Sequence, residues 1–303
     1  PMDDLLLSTV DDYLSQNPQG KMNGTFPNRA KIKEDIVNQT RTAIEMQNAL
    51  LSKGTKLRIP DRLANVQIAR IIYKVELVAV ISCEKRDVEE SPFDLIGVYN
   101  DDGPNAGIYD TSDRTLNHLI FKYNGAATAK DLEEVRHFLR ELLDRKRRCM
   151  DQDLIAVNNG IFNYKTKVLE PFDPDKVFLT KSRVDYNPNA QNVVIHNPDD
   201  NTDWDVESWM SGLSNDADIV ELLWQILGAI IRPFVRWDQC AWLYSASGNS
   251  GKGTLCELMR NLCGRGSYAS ISLSDFSKDF HLEPLIHSSA IIVDENDVGV
   301  YLD

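Results

Sequence analysis

A chain of 303 residues is long enough for two domains, or for three small ones. Hydrophobic residues at 42% and charged residues at 26% are those of ordinary soluble globular domains. The balance of 33 basic against 46 acidic side chains, a formal charge of -13, argues against one broad basic face for nucleic acid but leaves room for a local basic channel.

In chain order, DDLLLSTVDDYLSQ reads as a first helix and NPQGKMNGTFPNR as a loop. From Ala30 to Leu51, Ile32, Ile36, Val37, Thr40, Ile44 and Leu50 recur at roughly helical spacing. Between Arg62 and Ile81 the first half reads as helix, while KVELVAVIS is left open between helix and strand. FDLIGVYND, a DGPNAG turn and IYD suggest a hairpin, and SDRTLNHLIFKYN starts a helix. A helix is expected from Asp131 to Arg148, with Val135, Phe138, Leu139, Leu142 and Leu143 on one side and Arg145, Lys146, Arg147 and Arg148 at its end. LIAVNNGIFNYKTKVLEPF alternates as short strands, KVFLTKSRVDYNPNA suggests a further strand pair, and Asn187 to Asp203 reads as mostly loop. DADIVELLWQILGAII is a helix that groups Ile219, Leu222, Leu223, Ile226 and Ile230 and stops at Pro233. The last segment alternates α and β: WLYSA a strand, SGNSGKGT a loop, LCELMRNLCG a helix, then strand regions in SYASISLSDF and SAIIVDEND.

The opening PMDDLLLSTVDDYL is acidic and lacks the basic start of a secretory signal. The most apolar stretch, Ile219 to Val235, is interrupted by Glu221, Gln225 and Arg232 and is too short for a membrane span. A cytoplasmic protein is expected.

The chemistry concentrates between Ser245 and Thr254. The phosphate-binding pattern G-x-x-x-x-G-K-(S/T) is altered twice here: Ala246 stands at its first glycine, and Gly253 replaces the hydroxyl residue, which moves to Thr254. Small residues at Ser247, Gly248, Asn249, Ser250, Gly251 and Gly253 let consecutive N–H groups turn inward around an anion. A helix starting near Lys252 adds its partial positive charge, and Lys252 suits the outer phosphates. Asp294, 42 positions after Lys252, ends an apolar strand and is followed by Glu295. Asp294 and Thr254 suit a magnesium ion beside the phosphates, and Glu295 suits the general base that polarises the attacking water. Taken together, these motifs assign ATP and Mg2+ as cofactors and Lys252, Asp294 and Glu295 as catalytic residues. The plainer alternative is a glycine-rich turn and a core strand with an acidic end. The strand–loop–helix context and the second motif favour the nucleotide site.

SGNSGKGTLCELMRNLCG followed by IIVDEND resembles the superfamily 3 helicases, most closely the poxvirus D5-like and phage or plasmid primase-helicase group. IAVNNGIFNYKTKVLEPFDPDKVFLTKSRVDYNPNA resembles that group's segment before the motor, ELLWQILGAIIRP the helix leading into it, and IGVYNDDGPNAGIYD the same accessory region. The resemblance implies an α/β fold, with a mainly helical and mixed α+β accessory region followed by an incomplete P-loop (AAA+-like) ATPase domain. It divides the chain into a largely helical region of unknown role (1–90), a D5-like accessory domain (91–237) and the first part of the ATPase (238–303). It further implies a homo-hexameric replicative helicase that couples ATP hydrolysis to translocation on single-stranded or forked DNA, with replication proteins as partners, in a bacterial host or phage-infected cell. The family's later motif, sensor residue and arginine finger would follow the second carboxylate strand, and the chain ends at Asp303 before them, so part of a longer motor is expected. No primase site is evident. The competing readings are another P-loop motor, or a non-enzymatic docking module of a replication complex.

Other features point less sharply. Arg145 to Arg148 reads either as a phosphate contact or as a solvated helix end. Trp204, Trp209, Trp224, Trp237 and Trp242 show no stacking platform in sequence, and Trp224 reads as core. The five cysteines contain no CxxC pair; a zinc site among Cys240, Cys256, Cys263, His281 and His287 matches no usual ligand spacing, and free thiols are the better reading.

Overall fold

The computed structural model describes residues 2–52, 54–82, 94–245, 248–276, 278 and 282–294. Ser247 and Glu295, both expected at the nucleotide site, lie outside the described residues, as do Ala246 and His281. The architecture is mixed α+β, in two compact units: Pro1–Asn105 with Tyr109–Arg148, and Ala106–Ile108 with Cys149–Asp303.

The first unit contains α1 (Met2–Gln16), α2 (Arg29–Leu50), α3 (Asn65–Val75), β1 (Val78–Ser82), β2 (Leu95–Tyr99), β3 (Tyr109–Asp110), α4 (Asp113–Tyr123), α5 (Ala129–Leu142) and β4 (Arg145–Arg147). Ile32, Ile36 and Ile44 bury the stripe expected of α2. Thr40, in the same stripe, is buried for a different reason. Its hydroxyl accepts from Gln67 Nε2 at 2.9 Å, and Gln67 also donates to Thr9 Oγ1 and the Leu6 carbonyl, so one buried amide joins α1, α2 and α3.

The segment left open, KVELVAVIS, divides: the helix ends at Val75 and Val78 begins a strand. The sheet order β3-β2-β1-β4 makes β1 a central strand, which suits its β-branched residues. It runs antiparallel to β2 and parallel to β4. β1 thus pairs across to residues 95–98 and 145–147.

That pairing corrects the expected helix from Asp131 to Arg148. The helix stops at Leu142, and Arg145–Arg147 is a strand with Val80 opposite Arg145. The basic run is therefore not a solvated helix end: Arg145 donates to Asp94 Oδ1 at 2.9 Å and to Ser82 Oγ at 3.2 Å.

In the second unit, β5 (Leu154–Val157), β6 (Gly160–Asn163) and β7 (Val168–Glu170) form the antiparallel meander that the alternating pattern suggested. Asn163 Oδ1 accepts from the Lys165 and Thr166 N–H groups at 3.1 Å each, which sets the second turn. Two expectations fail here. KVFLTKSRVDYNPNA is not a strand pair. It follows β5 as one irregular segment, with Ser182 N donating to the Ala156 carbonyl and Asn158 N to the Val184 carbonyl. The stretch read as loop contains a hairpin, β8 (Ile195–Asn197) and β9 (Thr202–Trp204). Its turn is closed by Asp200 Oδ1, which accepts from Thr202 N and Oγ1.

The remaining elements are α6 (Val206–Ser211), α7 (Ala217–Ile230), α8 (Lys252–Cys263), β10 (Tyr268–Ala269) and β11 (Ala290–Ile291). Met210, Leu223, Leu227, Leu255, Met259 and Ile292 form their shared core. Residues 242–245 of WLYSA are not in a strand, and Trp242 and Tyr244 are 66% and 88% exposed. Trp224 is not core either, at 36% exposed.

Lys181 is buried, with its ammonium donating to the Ala106 carbonyl at 2.8 Å. Burial, with Arg183 nearby, pushes it down from 10.5 to about 8. The unfolded chain therefore holds more protons than the folded chain between those values, and stability from this group rises with pH across that window. Lys181→Met is expected to remove that rise. In urea unfolding at pH 7.5, 9 and 10.5, the advantage of wild type over the variant should grow with pH.

Candidate nucleotide-binding site

α8 carries the glycine-rich loop at its amino end. Its N-cap, Gly251, is left-handed at φ 80 and ψ 0 and offers no side-chain cap, so the N–H groups of the first turn have no acceptor from that residue. Asn249 is also left-handed at φ 54, so Ser250 stands between two reversed residues. A chain that alternates handedness in this way turns successive N–H groups to one side, the geometry of an anion nest. Gly251 is required by packing as well as by its backbone: a Cβ there would lie 2.6 Å from Leu213 Cδ2, in the turn after α6. By contrast, the Cβ positions of Gly248 and Gly253 meet no atom within 4 Å.

Lys252 begins α8, and its ammonium donates to Ser250 Oγ at 2.8 Å, folded back over its own loop. Gly248, Asn249, Gly253 and Thr254 are exposed around it. A cation, N–H groups that Gly251 does not cap with a side chain, and open space beside Gly248 and Gly253 make a cradle that fits a phosphate chain.

The second motif comes from β11, which pairs in parallel with β10, Ala290 opposite Tyr268. Ile292 N continues the pairing to the Ala269 carbonyl, and the buried Ile292 side chain anchors the segment in the α8 core. Asp294 then meets α8. Its Oδ2 accepts from Arg260 at 2.7 Å, and it faces the Cys256 thiol, which is pushed up by burial and then by this carboxylate. Lys252, Cys256 and Arg260 recur every fourth residue along one side of α8, each step advancing about 6 Å along the axis. The structure thus brings Lys252 to Ser250 and Asp294 to Arg260, one to two turns along the same stripe, with Thr254 exposed.

Arg260 is the participant that sequence reading missed. The available signal was its place eight residues after Lys252, on the same helix face. No group of three His, Cys, Asp or Glu side chains stands together in metal-binding fashion among the described residues. An octahedral magnesium ion bound through one carboxylate, water and phosphate needs no such group.

The far end of α8 is also held. Ser182 Oγ donates to the Leu262 carbonyl at 2.6 Å, and Arg183 N to the Cys263 carbonyl at 3.1 Å, which satisfies two of the helix's terminal acceptors. Gly264 follows at φ 83, where a Cβ would fall 1.9 Å from Arg183 Cγ.

This is the class of an α+β protein with a glycine-rich loop at a helix amino end. The family described as D5 N terminal like matches residues 122–211, from the end of α4 through α6. The match is partial, and the likeness to D5 proteins is limited to that stretch. The matched stretch holds the β5–β7 meander and the Ser182–Arg183 cap on α8. Among curated proteins, none matches the chain.

Proposed function

We propose that the chain is part of an ATP-driven DNA motor of the replicative helicase type. The observation that carries the reading is the left-handed Gly251 turn at the amino end of α8, with Lys252 folded back over the loop onto Ser250. The D5 N terminal like match immediately upstream supports it.

In this reading Ser247, Gly248, Asn249, Ser250, Gly251 and Gly253 cradle the phosphates of ATP through backbone N–H groups, and Lys252 leaves Ser250 to neutralise the outer phosphates. Asp294 would leave its pair with Arg260 and, with Thr254, would hold a magnesium ion that would supply charge neutralisation. Glu295 is the base for the attacking water. The DNA is single-stranded or forked, the working form is a homo-hexamer, and replication proteins are its partners.

Lys252→Ala tests the reading. Loss of one charge-assisted contact of about 1.5–3 kcal/mol is expected to weaken binding of a fluorescent ATP analogue by about 10- to 100-fold. Equal affinity of wild type and variant, or no binding by wild type, would sink it.

A further inference from the structure

A groove of about 560 Å³ in the second unit lies away from the nucleotide loop, bounded by β5, β6, the segment 182–186 and α7. Its walls carry five aromatic rings: Phe162, Tyr164, Tyr186, Trp224 and Trp237. Phe162 and Tyr186 stack on each other at 4.3 Å, which turns them into one rigid wall. Trp224 and Trp237 are left 36% and 48% exposed. Two large indoles held in the open at one concavity are an unsatisfied apolar surface.

The charges are sorted. Tyr164 carries two cations, Arg232 at 4.0 Å and Lys167 at 3.4 Å from its ring centroid. Arg232 is oriented by the Gln152 carbonyl and by Asp153, while its Nε–H is buried without a partner among the described residues. Across the groove, Glu221 and Gln225 on α7 bond to each other at 3.2 Å. Both side chains are exposed, and the carboxylate and carboxamide retain further hydrogen-bonding capacity.

We infer that this groove binds single-stranded nucleic acid through its unpaired bases. The exposed indoles and Tyr186 offer π faces for bases. Glu221 and Gln225 offer hydrogen bonds to base edges, and the Tyr164-held cations take the phosphates. An apolar peptide fits less well, because it would cover the exposed Glu221 and Gln225 without adding partners to the one bond they share, at about 1–3 kcal/mol each. A duplex keeps its bases stacked inside and cannot use the rings. The acidic surface elsewhere, in a chain of charge -13, confines the strand to this local site. The inference rests on the DNA-handling reading for the polymer alone and is independent of the phosphate loop.

The test is binding of a fluorescein-labelled single-stranded 20-mer of thymidylate, read by anisotropy and by quenching of tryptophan emission. The intact chain is expected to bind it, and an unlabelled duplex of the same length is expected not to compete. Trp224→Ala and Trp237→Ala should each weaken binding about tenfold, as loss of one stacked base does. Trp224→Phe, which keeps a ring and guards against a folding defect, should retain most of the affinity. Binding that ignores both alanine variants, an absence of binding, or loss of self-association instead of oligonucleotide binding in those variants would each overturn the inference. Binding of the fluorescent ATP analogue by the same sample separates the two readings. Oligonucleotide captured by the groove without nucleotide keeps the groove and removes the motor; nucleotide without oligonucleotide does the reverse.

Discussion

Gly251→Val is expected to lower the unfolding free energy by about 2 kcal/mol and to weaken nucleotide binding more than tenfold. Both effects come from one torsion. At φ 80 an L-residue costs about 1–2 kcal/mol, and β-branching adds to that. The new side chain also meets Leu213 in the turn after α6, where Cβ alone would lie 2.6 Å from Cδ2. If the residue leaves the left-handed region, the N–H groups of the turn diverge and Lys252 no longer starts the helix at the same place. All five tryptophans lie beyond residue 148, and Trp209 Cζ2 is 3.9 Å from the added Cβ, so tryptophan emission follows the affected unit during melting. At this size the loss corresponds to a fall in Tm of about 4–8 °C. Gly253→Ala is the stability control: it is helical, its Cβ enters open space, and it should gain a few tenths of a kcal/mol. Equal losses for the two variants would show that the left-handed turn is not what requires glycine at 251.

Where periodicity spans several turns, as in α2 and α7, the sequence alone located the element, but not every residue of its stripe: Leu223 is buried, while Ile219, Leu222 and Leu50 are exposed. The β5–β7 meander was legible for the same reason at the strand period. β4 was not legible. Arg145, Lys146 and Arg147 resemble the charged end of α5, and they become a strand because β1 presents an unpaired edge beside them. That cause is tertiary and leaves no local pattern. WLYSA shows the converse: a strand-like composition whose described residues 242–245 are not in a strand. At the candidate site, the loop and Lys252 were readable because the backbone there depends on glycine. The hold of Arg260 on Asp294 and the cap by Ser182 and Arg183 were not, since each joins residues 34 and about 80 positions apart. The aromatic groove was unreadable for the same reason: Trp224 and Trp237 meet Phe162 and Tyr186 only after the meander and α7 pack.

Arg29→Met is expected to cost about 3 kcal/mol, through an ion pair of the first unit whose carboxylate is buried. Glu76, at the end of α3, is buried and receives three hydrogen bonds: Arg29 Nε and Tyr123 OH reach Oε1 at 2.6 Å each, and the second Arg29 nitrogen reaches Oε2 at 2.8 Å. Tyr123 is itself buried, and burial followed by the Glu76 charge keeps its phenol protonated well above the ordinary tyrosine range. Removing Arg29 leaves a desolvated carboxylate with one donor, the situation in which a broken buried pair costs most. The loss comes from the stranded charge more than from the missing contact, so Arg29→Met/Glu76→Gln should be more stable than Arg29→Met alone. Tyr123→Phe, which removes one bond to a charged acceptor, should cost about 1.5 kcal/mol. Urea unfolding followed by far-UV circular dichroism orders the three variants. A double variant less stable than Arg29→Met by the full effect of Glu76→Gln measured alone would mean the residues act independently, and that the cluster does not join α2, α3 and α4 as one unit.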